Sequence, residues 1–167
     1  MLRDALTNRL LWARMQMFKW THWRPFVKAA QAPVDTQERL LLRILGHNRM
    51  TKFGQAHGFD QVRSYRDFVA AVPIQSYETL RPFIDEQERT GAFALNADAP
   101  VMYAQTSGTT GQPKLIPLLE STLALHKRSQ AVQTYVQFKT DPRAYYGKLL
   151  GIVSLAEEGR LESGTPY

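Results

Sequence analysis

Apolar residues in the first 28 positions recur three and four apart, with Leu2, Leu6, Leu10 and Met17 in one row and Leu11, Met15 and Phe18 in the next. That period predicts a helix to about Lys28. Pro33 closes a short linker, and Asp35-Thr-Gln-Glu38 has the spacing of a capping box with a carboxylate at the cap. Leu40, Leu41, Ile44 and Leu45 then supply the buried side of a helix to about Arg49. Gly54 and Gly58 predict a looped turn, and Ser64-Tyr-Arg-Asp67 caps a short helix that Pro73 stops. A third helix runs from Ser76 toward Gln87 with Leu80, Phe83 and Ile84 inward. Pro82 sits deep for a helix interior and moves the expected start toward Arg81. Gly91 and residues 96–98 read as loop.

The pattern changes at Pro100. Val101–Ala104 reads as a strand and Leu115–Leu119 as an extended return; Pro117 has no amide to donate, which places it at a sheet edge or a bulge. Ser121 is the expected cap of a long helix to about Phe138. Its packed side is Ala124, Ala131, Tyr135 and Phe138, flanked by Val132 and Val136. Asp141-Pro142 is a turn, Lys148–Ser154 a further strand, and Leu155–Tyr167 a polar, turn-rich tail without a closing helix. The fold class is therefore α/β: a mainly helical region over 1–99, then β–loop–β–α–β over 100–167, the start of an α/β domain. Two or three strands cannot make a parallel sheet covered on both faces. The expectation is an incomplete domain, the front part of a larger protein, prone to self-association if made alone.

Composition changes this picture little. The chain is 44% hydrophobic and 22% charged over 167 residues, a globular balance. No stretch approaches the roughly 20 apolar residues of a membrane span. Arg9, Arg14 and Lys19 interrupt any signal-peptide core at the start. Cysteine is absent, which excludes disulfides, a thiolate nucleophile and a cysteine-held metal, and fits a cytoplasmic protein. His22, His47, His57 and His126 show no HExxH spacing, so no metal site is assigned. Net charge is +6, yet residues 1–30 carry +5 and the remainder +1, which argues against nucleic acid as a partner. Trp12, Trp20 and Trp23 beside those basic residues raise membrane-surface binding. A helix packed on its own protein, with arginines reaching out to solvent, is the preferred reading.

The chemistry concentrates in Thr106–Lys114, TSGTTGQPK. Thr106, Ser107, Thr109 and Thr110 put four hydroxyls around Gly108 and Gly111. The glycines let backbone amides turn toward one anion, and Lys114 adds a mobile positive charge. The spacing is neither Walker A nor a dinucleotide fingerprint. A phosphate-cradling loop is favoured over a plain Ser/Thr/Gly turn. No Ser-His-Asp triad or carboxylate pair is evident, and His126 is read as a surface histidine.

Tyr103–Pro117, YAQTSGTTGQPKLIP, closely resembles the phosphate-binding motif of the adenylate-forming enzymes, and in particular the GH3 (auxin-responsive promoter) family with its TSGTTG-x-PK-x-IP pattern. Trp23-Arg-Pro-Phe26, Gln37–Ile44, Thr51–Phe59, Val72-Pro73 and Tyr77–Phe83 resemble the family's lead-in, and Glu158-Gly-Arg160 and Thr165-Pro-Tyr167 the region after the loop. The resemblance implies that residues 100–167 begin the large, nucleotide-binding domain of an adenylate-forming enzyme, with activation of a carboxylic acid by ATP and Mg²⁺, release of pyrophosphate, and transfer of the acyl group to an amino acid or other amine. Thr106, Ser107, Gly108, Thr109, Thr110 and Gly111 would hold the β- and γ-phosphates, and Lys114 would be the catalytic cation. An acyl-CoA ligase with a thiol acceptor, and a non-catalytic nucleotide-phosphate or protein-binding module, remain as alternatives.

Overall fold

The computed structural model describes the backbone of residues 2–106, 113–146, 150 and 157–167, and side chains from Leu6 onward within those ranges. The expected strand at Lys148–Ser154 lies outside the described residues apart from Leu150. Contacts divide the chain into two compact units, residues 1–33 with 121–154, and residues 34–120 with 155–167.

The first unit is helical. Helix α1 (Leu2–Phe18) continues through a single π-helical segment, Lys19–Trp23, into α2 (Arg24–Ala30). Of the two apolar rows on α1, the second is the buried one. Met15 is buried with Tyr135 and Phe138 of α7 (Glu120–Thr140), and Leu11, Phe18, Trp23 and Tyr145 pack around them. The Trp12 ring meets the Phe138 ring edge-on at 4.8 Å, and its indole N–H donates to the Tyr146 hydroxyl at 3.1 Å. Helix α7 starts at Glu120, so Ser121 lies inside the first turn and is not its cap. Ala131, Tyr135 and Phe138 are buried as expected, whereas Ala124 is exposed.

In the second unit, α3 spans Pro33–Asn48 and begins two residues before the expected Asp35 cap. Proline is at home in the first turn, where its missing N–H would have had no helical partner. Thr51 caps α4 (Lys52–Ala56): its hydroxyl accepts the Gly54 amide at 2.9 Å and donates to the Asn48 carbonyl at 2.8 Å. Gly54 is thus buried within a helical turn rather than in the loop its residue type predicts. A Cβ there would stand 2.2 Å from the Asn48 carbonyl oxygen. Helix α5 (Tyr65–Ala71) forms as expected, with Ser64 accepting the Asp67 amide. The Asp67 carboxylate accepts the Arg63 amide in return, and that bond, with the Ser64 side chain adding, holds the carboxyl below its usual range.

Helix α6 spans Tyr77–Thr90 and starts at its Ser76 cap despite Pro82 in its interior. An interior proline costs about 3 kcal/mol. The Ser76 cap, the left-handed Gly91 terminator at φ 69°, and burial of Ile84 with Leu80 and Phe83 offset it. The core of this unit is Leu45, Phe53, Phe59 and Val62, with Leu80 and Phe83 against it. Buried Gln87 uses its whole amide on the following loop. It donates to the carbonyls of Asn96 and Asp98 and accepts the amides of Leu95 and Asn96.

That loop leads into β1 (Met102–Gln105), which pairs antiparallel with β2 (Leu115–Leu118), Tyr103 opposite Pro117. The Tyr103 amide points away from β2 to the Pro166 carbonyl at 2.9 Å. The Tyr103–Pro117 pair therefore exchanges no ladder bonds, and the missing proline amide leaves no gap in the hairpin ladder. Tyr103 itself is buried, and that burial, with Glu88 and Asp85 adding, pushes its phenol up to about 12, so it is neutral at any ordinary pH. The tail is more ordered than its polar composition predicts. Glu158 and Gly159 donate to the Tyr167 carbonyl, Tyr167 donates back to Gly159, and Arg160 bridges Pro166.

Two glycines separate packing from propensity. Gly46, in α3, has nothing within 4 Å of a built Cβ, so Gly46→Ala should stabilise by about 0.5–1 kcal/mol through helix propensity. Gly54→Ala should destabilise by about 2–3 kcal/mol, since backbone fills the space. Urea denaturation of both variants tests this; midpoints shifted in the same direction would refute it.

Candidate phosphate-binding site

The loop between β1 and β2 is closed at its base by two hydrogen bonds. The Thr106 amide donates to the Lys114 carbonyl, and the Lys114 amide donates to the Thr106 hydroxyl, both at 3.1 Å. Ser107, Gly108, Thr109, Thr110 and Gly111 lie outside the described residues. The described frame is therefore the two ends of the loop, with Thr106 and Lys114 both exposed.

A third residue braces that frame. The Tyr77 hydroxyl, at the start of α6, accepts the Leu115 amide at 2.8 Å and donates to the Leu115 carbonyl at 3.2 Å. One phenol thus satisfies both backbone groups of the residue next to Lys114. Its ring also lies beneath two cations, the Lys114 ammonium 5.4 Å and the Arg81 guanidinium 4.8 Å from the centroid. Arg81 is held in turn by Glu78, with Nε to Oε2 at 2.9 Å and a second contact at 3.3 Å. The Arg81 hydrogen bond is the main reason the Glu78 carboxyl lies below its usual range; the charges of Arg81 and Lys114 lower it further.

The electrostatic consequence is an asymmetry between the two cations. Arg81 is committed to Glu78, while Lys114 makes no ion pair among the described residues. A ring face holds an ammonium near its π-cloud without neutralising it. Lys114 is thus held over a ring and not over a carboxylate. Among the described residues no group of three His, Asp or Glu side chains stands close enough to hold a metal ion. His126 is exposed and hydrogen-bonded to Gln130.

Tyr77 and Arg81 carried no assigned role in the sequence, although both fall in the Tyr77–Phe83 block. Tyr77 stands 38 positions from Leu115, and nothing local to either residue signals the contact. Lys114 and Thr106 stand out in the sequence because glycines and hydroxyls cluster around them.

The geometry at hand is that of an antiparallel hairpin, bonded across the base of its loop and braced there by a helix. Residues 23–167 match the GH3 family N-terminal domain, and the chain belongs to that family. Three plant relatives show the extent of the likeness. A probable indole-3-acetic acid-amido synthetase GH3.2 of Oryza sativa subsp. japonica is 28% identical over 132 residues, covering 78% of this chain and 22% of the relative. The indole-3-acetic acid-amido synthetase GH3.2 of Arabidopsis thaliana is 26% identical over 136 residues, 80% of this chain and 25% of the relative. GH3.8 of Oryza sativa subsp. indica, another indole-3-acetic acid-amido synthetase, is 33% identical over 101 residues, 59% of this chain and 17% of the relative. The chain thus spans about a quarter or less of the length of these relatives.

Tyr77→Phe keeps the ring beneath Lys114 and removes only the hydroxyl. Two partly buried backbone groups lose their partner, which should cost about 1–3 kcal/mol and speed hydrogen exchange at the Leu115 amide. Leu115 exchange at the parental rate would show that the hairpin holds itself without the brace.

Proposed function

We propose that this chain carries the phosphate-binding part of an enzyme that activates a carboxylic acid with ATP and passes the acyl group to an amine. The carrying observation is the braced hairpin, in which Lys114 lies beside Thr106 with no ion pair among the described residues. Family membership supports the reading, as do relatives named as amido synthetases acting on an indole acid.

In the first step a carboxylate oxygen of the acid attacks the α-phosphorus of ATP. The bond from that phosphorus to the bridging oxygen breaks, and pyrophosphate leaves with the electron pair. Negative charge grows on the departing oxygens, so donors fixed there before the reaction lower the barrier. Thr106, Ser107, Gly108, Thr109, Thr110 and Gly111 are assigned to the β- and γ-phosphates by their hydroxyls and amides, and Lys114 to the leaving pyrophosphate. An amine then attacks the acyl carbon, an amide bond forms, and AMP departs. Mg²⁺ supplies charge neutralisation to bound triphosphate, but none of the described residues is assigned as its ligand. The acid must also be held in line with the α-phosphorus, a positioning demand that the hairpin alone does not meet. The activity is accordingly assigned to a protein of the relatives' length, in which residues 100–167 open an α/β adenylate-forming domain.

Lys114→Ala, placed in such a protein, should lower acid-dependent pyrophosphate release by about 10²-fold, the scale of one lost transition-state donor. Thermal stability should hardly change, because Lys114 is exposed and makes no ion pair among the described residues. Equal rates in variant and parent at saturating ATP would remove Lys114 from the mechanism.

A further inference from the structure

Helix α1 has two apolar faces, and its own unit uses only one. Leu11, Met15 and Phe18 turn into the packed cluster with α7. Leu6, Leu10 and Met17 stand on the opposite side at helical spacing, 61%, 64% and 54% exposed, and Trp20 just beyond is 57% exposed. At 100° per residue, Leu6, Leu10 and Met17 fall within about 40° of one another and lie roughly opposite Met15. Arg9 and Arg14 flank this outer stripe, and the Arg24 guanidinium stacks 3.7 Å from the centre of the Trp20 ring.

The charge of the chain is divided in the same way. The unit made of residues 1–33 and 121–154 contains eleven Lys/Arg and only two acids, Asp4 and Asp141, a net +9. The other unit contains ten Lys/Arg and thirteen acids, a net −3. We propose that the outer face of α1 docks on the surface of an anionic lipid bilayer, with Leu6, Leu10, Met17 and Trp20 entering the headgroup boundary and the surrounding basic residues meeting lipid phosphates.

Three observations favour that occupant. A second copy of the chain would bring one +9 unit against another, and like charges oppose that pairing. The GH3 match begins at Trp23, so Leu6, Leu10, Met17 and Trp20 all precede the matched residues. A nucleic acid would use the basic residues but leave the apolar stripe in water, whereas a bilayer surface satisfies both. Exposed Leu and Trp with flanking arginines is the composition of a helix lying in the interface. No described helix is long and apolar enough to cross a membrane, so the docking is peripheral.

The test uses the chain as it stands and two kinds of vesicle, pure phosphatidylcholine and an equal mixture of phosphatidylcholine and phosphatidylglycerol. Sedimentation with the mixed vesicles should carry the protein down, and tryptophan emission should shift to the blue. Leu10→Glu with Met17→Glu should lower partition at least about tenfold, and Arg9→Gln about fivefold. Raising salt from 0.1 M toward 1 M should release the protein, since the screening length falls from about 10 Å to about 3 Å. Helix content and melting temperature of the variants, read by circular dichroism, should match the parent because none of the three residues touches the packed row. Equal partition to neutral and mixed vesicles, or no loss in the Leu10→Glu/Met17→Glu variant, would overturn the proposal. A dimer in light scattering that the same double variant dissociates, with vesicles left unbound, would assign the stripe to self-association instead.

Discussion

A two-stranded hairpin has little to hold it in water, and this one is held by α6. Isolated hairpins are marginal because two strands bury too little surface to repay their ordering. Here the helix reaches the hairpin from both sides of the loop. At its start, the Tyr77 hydroxyl grips both backbone groups of Leu115 as the chain leaves the loop. Toward its end, Gln87 grips residues 95–98 as the chain approaches β1. The Pro166 carbonyl then takes the outward amide of Tyr103, so β1 has a partner on each side. Fixing both ends of a loop in advance lowers the ordering cost of any ligand it takes.

The same bracing explains why Lys114 is available. An exposed lysine among acids would normally spend its charge on the nearest carboxylate. Glu78 is the acid at hand, and Arg81 already holds it through two contacts. The Tyr77 ring takes the remaining place beneath the ammonium without cancelling its charge. One helical turn, Tyr77–Arg81, thus supplies the clamp, the platform and the decoy for the competing acid.

Much of this was readable from residue pattern, and the exceptions have physical reasons. Apolar period located the helices and the hairpin, because burial of one face dominates the choice of structure. Residue-type rules failed where tertiary contact overrode them. Gly54 reads as a turn, yet it is the residue that lets α4 lie against the Asn48 carbonyl. Pro82 reads as a helix start, yet a hydroxyl cap, a left-handed terminator and a buried face keep α6 continuous through it. The tail reads as loose because it is polar, but its order comes from backbone bonds, which composition does not record. At the candidate site, the loop is marked by its own nine residues, whereas its brace is not, because the brace is a contact across 38 positions. The two rows of α1 were both visible in sequence; which of them faces water was a matter for the fold.

The proposed role of the hairpin is to receive polyphosphate in the loop whose ends Thr106 and Lys114 join. Its most direct measurement is the amide spectrum of the isotope-labelled chain during titration with inorganic pyrophosphate. The account predicts saturable shifts confined to Thr106–Leu115 and the side chain of Lys114, lost in Lys114→Ala while the rest of the spectrum is retained. Unmoved loop amides at millimolar pyrophosphate, or shifts spread instead across the basic unit of residues 1–33 and 121–154, would contradict it.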